Sequence, residues 1–92
     1  MPINAPMNLP RPAGVPPALA YRIVYDAATG EWMLRKLETD GDIKVLAAYS
    51  TQDAAVADAR RLCNRMVAEG RIARLMVYDD AGNFSFARLY ER

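Results

Sequence analysis

The stretch Ser50–Gly70, STQDAAVADARRLCNRMVAEG, decides the fold, because it carries a helix start, a helix stop and a single apolar stripe. A Ser50 or Thr51 hydroxyl can accept from the orphan amides of a first turn, and Asp53 complements the positive end of the helix dipole. Gly70 supplies the left-handed residue that closes the helix. The spacing therefore predicts a helix from about Gln52 to Glu69. At about 100° per residue, Ala55, Ala59, Leu62, Cys63 and Met66 share one stripe, while Asp53, Asp58, Arg60, Arg61, Asn64 and Arg65 face away. Small residues at the start of the stripe let the helix come close to a sheet. One stripe covers one sheet face only.

The flanking segments read as strands. Upstream, Tyr21, Ile23 and Tyr25 alternate with Arg22 and Val24, and Trp32, Leu34 and Lys36 alternate with Met33, Arg35 and Leu37. Ala27–Gly30 reads as the turn between these runs, and Asp40-Gly41 as a hairpin leading into a third strand from about Ile43 to Tyr49. Downstream, Ile72–Tyr78 and Phe84–Tyr90 are joined by the turn types of Asp79–Asn83. The expected fold is α+β, an antiparallel sheet in βββαββ order with one helix packed on one face. All 6 prolines fall in the first 17 residues. Residues 1–18 accordingly read as a Pro-rich extended or disordered arm, without PxxP spacing, and residues 19–92 as a single domain.

Composition removes several kinds of chemistry. The chain has 92 residues, no His, one Cys, and 12 basic against 11 acidic side chains. Without histidine there is no Ser/His/Asp or Cys/His nucleophile system and no histidine switch. Cys63 alone forms neither an internal disulfide nor a thiolate zinc site. Glu38–Asp42 has oxygen donors at alternate positions, but Ile43 and Tyr49 stand where a calcium loop needs Gly and a bidentate Glu, so it reads as an acidic hairpin turn. The expectation is a protein that is not an enzyme, with no catalytic residues, no metal and no cofactor. Nothing reads as a membrane span or secretory leader, which makes the expected location cytoplasmic.

Function then turns on strand parity. Tyr21, Ile23, Tyr25, Trp32, Leu34, Val45 and Tyr49 are expected beneath the helix. Arg22, Val24, Met33, Arg35, Leu37, Lys44, Leu46 and Met76 are expected on the reverse, which is too apolar for a plain solvated face and too charged for a closed core. That mixture predicts a protein interface built on Val24, Met33, Arg35, Leu37 and Leu46, serving self-association or another protein partner. The competing arrangement folds the N-terminal arm or the C-terminal hairpin over this face. The runner-up function is nucleic-acid binding through Arg22, Arg35 and Lys44, or through Arg60, Arg61 and Arg65 on the helix.

Short motifs also carry two resemblances. Gly30-Glu31-Trp32, Tyr49-Ser50-Thr51, Ala54-Ala55, Ala59-Arg60 and Asp80-Ala81-Gly82 resemble a family of short uncharacterised bacterial proteins. Its members share a Gly-x-Trp strand, an aromatic-x-Thr helix start and a late Asp-x-Gly turn. That likeness implies a fold and no activity. Trp32, Tyr49–Thr51, Ala54-Ala55 and Ala59 also look like the APETALA-two and integrase arm-type DNA-binding domains, where three strands precede one helix. This second likeness implies only the runner-up function.

Overall fold

The computed structural model describes residues 18–92. The Pro-rich stretch, read from sequence as an arm, lies outside the described residues except for Ala18. The chain runs β1 (Leu19–Asp26), β2 (Glu31–Leu37), β3 (Ile43–Tyr49), α1 (Gln52–Ala68), β4 (Ala73–Tyr78) and β5 (Phe84–Tyr90). The local signals act as expected at the turns. Gly41 has φ +94° in the Asp40-Gly41 hairpin, where a side chain would be strained. Asp40 Oδ1 accepts from the Asp42 amide at 3.0 Å, and Asp79 Oδ1 accepts from the amides of Ala81 and Asn83 at 2.9 and 2.8 Å. The acidic turn residues are thus spent on turn geometry.

The five strands form one sheet in the order β3-β2-β1-β4-β5. β1 to β3 are an antiparallel meander and β4 and β5 an antiparallel pair, whereas β1 and β4 run parallel. The sheet is therefore mixed and not antiparallel throughout. The reason is the helix: a helical crossover carries the chain back to the end of the sheet where β3 began, so β4 enters in the direction of β3 and hence of β1. The C-terminal hairpin extends the sheet sideways and does not fold over it.

Helix α1 is fixed at both ends. Thr51 Oγ1 accepts from the Ala54 amide at 3.1 Å, and Gln52 Nε2 donates to the Tyr78 carbonyl at 3.1 Å. At the other end Gly70 has φ +83° and the Arg71 amide donates to the Met66 carbonyl at 2.9 Å. Arg92 adds Nε and Nη2 donors to the carbonyls of Val67 and Ala68 at 3.2 and 3.0 Å, satisfying the negative end of the dipole.

Ala55, Ala59 and Cys63, four residues apart, have no exposed surface and lie in one core with Tyr21, Ile23, Leu34, Ala73, Leu75, Val77 and Tyr90. Burial pushes the Cys63 thiol up to about 11. Trp32, Tyr49, Val56, Leu62, Met66 and Val67 pack around this core. Tyr25 tilts against Trp32 with ring centroids 5.0 Å apart. Asp58, expected to face away from the sheet, is half-buried and accepts from the Tyr49 hydroxyl and from Arg61 Nη2, the latter at 2.9 Å.

Candidate interaction surface

The register of the sheet defines the face that α1 leaves uncovered. Directly paired residues on neighbouring strands point to the same side. One row runs Val45, Arg35, Arg22, Met76 and Ala87 across all five strands. On one side of it lies the row Ile43, Leu37, Ala20, Arg74 and Leu89. On the other side Ala48, Met33 and Val24 form a row that Tyr78 and Phe84 continue on β4 and β5. Beyond that, Asp26 pairs with Glu31 beside the β1–β2 turn.

Burial separates the two faces. Every fully buried strand residue, Tyr21, Ile23, Leu34, Ala73, Leu75, Val77 and Tyr90, belongs to the helix side. On the uncovered side Val24, Met33, Leu37 and Met76 are half-buried, while Ile43, Val45, Phe84 and Leu89 are exposed. The aromatic rings of Tyr78 and Phe84 meet edge to face at 5.9 Å. The most exposed large apolar side chains lie on the edge strands: Ile43, Val45 and Leu46 on β3, and Phe84, Phe86 and Leu89 on β5.

A bulge changes three of the expected positions. The β2–β3 register shifts between Leu34 and Arg35, so that Leu34 pairs with Ala47 but Arg35 with Val45. Leu46 is the extra residue of the bulge and is out of the register that Val24, Met33 and Leu37 share. Val45, expected beneath the helix, joins the uncovered face opposite Arg35. Lys44, expected beside Arg22 and Arg35, pairs instead with Lys36 on the helix side of the sheet. An inserted residue reverses parity for the rest of a strand, which accounts for all three corrections.

Arg22 and Arg35 are paired directly across β1 and β2. Like charges in opposed positions destabilise a sheet by roughly 0.2–1 kcal/mol. No acidic side chain relieves them: among the described residues the ion pairs are Lys36–Glu38 at 3.7 Å and Arg61–Asp58 at 2.9 Å. The Nε of each is buried without a hydrogen-bond partner among the described residues. Arg60, Arg61 and Arg65 project from the helix layer, on the opposite side of the sheet. The two groups of arginines are thus separate surfaces.

Sequence reasoning did not find the Asp26–Glu31 pair, Arg74 or the Tyr78–Phe84 pair as parts of this face. The turn between β1 and β2 held the signal for the first, because it fixes which residues oppose each other. Among the described residues no three His, Cys, Asp or Glu side chains converge as a metal site, and no helix is long and apolar enough to cross a membrane. The described chain is thus an α+β protein with one helix on a mixed five-stranded sheet. No protein-family model, curated protein or solved structure matches it.

Proposed function

We propose that this protein is a non-catalytic interaction module that self-associates through the uncovered face of its sheet. The observation that carries this reading is the row Met33–Val24 at the middle of that face, flanked by Leu37, Val45, Met76 and Phe84 and covered by no described element. Apolar surface of this extent, mixed with arginine and methionine, matches the composition of protein interfaces. Sedimentation velocity over a range of protein concentrations tests it. The wild type sediments as a dimer that dissociates on dilution, and Met33→Glu sediments as a monomer with an unchanged circular dichroism spectrum. A wild type that is monomeric at every concentration removes the proposal.

A second reading, nucleic-acid binding, is favoured by one observation: the opposed Arg22 and Arg35 share their face with the aromatic pair Tyr78 and Phe84. Arginine with exposed rings on a sheet suits a phosphate backbone and stacked bases. Lys44 lies on the other side and does not join this group. Binding to single-stranded DNA that weakens as salt rises supports this reading, and retention that does not depend on salt opposes it.

A further inference from the structure

The uncovered face carries two like-charged cross-strand pairs on the same two strands. Arg22 opposes Arg35, and four residues further along, beyond Val24 and Met33, Asp26 opposes Glu31. Within one chain each arrangement is unfavourable, and exchanging one arginine with one acid would relieve both. The pattern makes sense across a two-fold axis. If a second copy lies face to face, with the axis running across the strands through the Val24–Met33 row, β1 stacks on β1 and β2 on β2 in opposite directions. Arg22 then faces the second copy's Asp26, and Arg35 faces the second copy's Glu31. The same two contacts recur on the other side of the axis, as an isologous interface requires.

We propose that the module forms a two-fold, face-to-face dimer in which the Arg22–Arg35 pair of each copy docks on the Asp26–Glu31 pair of the other. This rests on the self-association proposed above and specifies its geometry. Val24 and Met33 pack on their own counterparts at the axis, and the arginine Nε groups without partners among the described residues lie among the groups the interface encloses. Asp26 keeps one oxygen for its turn, where Oδ1 accepts from the Ala28 amide at 3.0 Å, and has Oδ2 left for a guanidinium. Aligned packing of two twisted sheets, about 10 Å apart, gives an α/β/β/α sandwich with both helices outermost. Five strands at about 4.8 Å spacing and rows about 6.7 Å apart make a face of ~24 by ~20 Å, enough for several hundred Å² of contact per copy. A stable specific dimer buries about 800 Å² per partner, so a face of this size suits a weaker dimer that dissociates on dilution. A shift of the axis by one row would instead set Arg22 and Arg35 on their own counterparts. Charge therefore selects the register.

Charge reversal in trans tests the arrangement. One variant carries Arg22→Glu and Arg35→Glu; the other carries Asp26→Asn, which keeps the turn acceptor, and Glu31→Lys. Dimerisation is measured by sedimentation for each variant alone and for an equimolar mixture, with circular dichroism as the check on folding. Each variant alone is expected to associate at least about 10-fold more weakly than the wild type: in the first, like charges meet at both contacts, and in the second a lysine meets Arg35 while the contact at Arg22 loses its ion pair. The mixture is expected to recover a heterodimer within about threefold of wild-type affinity. A mixture no stronger than its components, while the wild type dimerises and Met33→Glu does not, overturns this register and leaves self-association standing. Weakening by the arginine variant alone, with loss of salt-sensitive DNA binding, also overturns it. If either variant fails to fold, Arg22→Gln/Arg35→Gln mixed with Glu31→Gln replaces the set. Those neutral variants must weaken association singly and reduce its salt dependence, more in the arginine variant than in Glu31→Gln, and salt dependence unchanged in the arginine variant counts against the proposal.

Discussion

The two faces of this sheet use the same strands and much the same apolar residue types, yet only one is sealed by a described element. On the helix side Ile23, Leu75 and Val77 have no exposed surface, and the small side chains Ala55, Ala59 and Cys63 let α1 sit directly on them. On the reverse, Val24, Met33, Leu37 and Met76 keep part of their surface open to water, and two arginines stand opposite each other. A sheet this wide with one helix has a second face whose composition is free of the demands of the monomer's core. The reverse face retains apolar groups and like-charged pairs that no described element covers or neutralises. That difference is what points to a partner.

The largest expected contrast is in stability. Leu75→Ala empties volume in the sealed core and should cost about 2–5 kcal/mol, whereas Leu37→Ala, measured at a concentration where the protein is monomeric, should cost less than about 1.5 kcal/mol. Urea denaturation of both variants makes the comparison. Equal losses would mean that the reverse face is packed in the monomer after all, and the asymmetry between faces would be gone.

A second contrast lies in the response to pH, which the helix side controls. The Cys63 thiol is pushed up to about 11 from an ordinary 9.0 by burial. The Tyr49 hydroxyl is pushed up to about 12 from 10.0 by burial and then by its hydrogen bond to Asp58. Both groups hold their protons more tightly folded than unfolded, so their stabilisation is complete below pH 9 and is lost as pH rises through about 11 and 12. Asp58 behaves oppositely. The Tyr49 and Arg61 hydrogen bonds hold its carboxyl below the ordinary 3.8, so its contribution is present above that value and lost in stronger acid. Denaturant midpoints between pH 8 and 12 should fall for the wild type, and Tyr49→Phe should flatten the upper part of that fall. An identical slope in the variant would remove Tyr49 from the account.

Less of the contrast depends on the helix end. Arg92→Ala removes two donors from the last carbonyls of α1 and should cost about 0.5–1.5 kcal/mol in thermal unfolding, with dimerisation unaffected because the uncovered face is untouched. A change in dimerisation would show that the two sides of the sheet are coupled.

The sequence carried the elements well, and the physical reasons differ by segment. Tyr21–Tyr25 alternates, and the Ala27–Gly30 turn fixes how Trp32–Leu37 opposes it, so strand, turn and face could all be assigned. Thr51, Asp53 and Gly70 marked the helix within one residue at its end. β3 was different. Its Val45-Leu46-Ala47-Ala48 run is apolar throughout, so no polar residue reports the bulge, and parity was carried past the point where it reverses. Parallel pairing of β4 with β1 leaves no local pattern at all, since it is set by where the crossover lands. The opposed arginines and opposed acids became visible only once the register was known. The Tyr49–Asp58 contact needed the tilt of the helix over β3, which no spacing encodes.

The most direct measurement of the central claim uses three methionines as reporters. Met33 and Met76 lie on the uncovered face and Met66 packs beside the core. With methyl-labelled methionine and a soluble paramagnetic probe, the Met33 and Met76 methyls should relax strongly in dilute protein and become shielded as concentration rises, while Met66 stays protected throughout. Methyls of Met33 and Met76 that remain open to the probe at every concentration, or that are already shielded in the dilute monomer, would contradict the account.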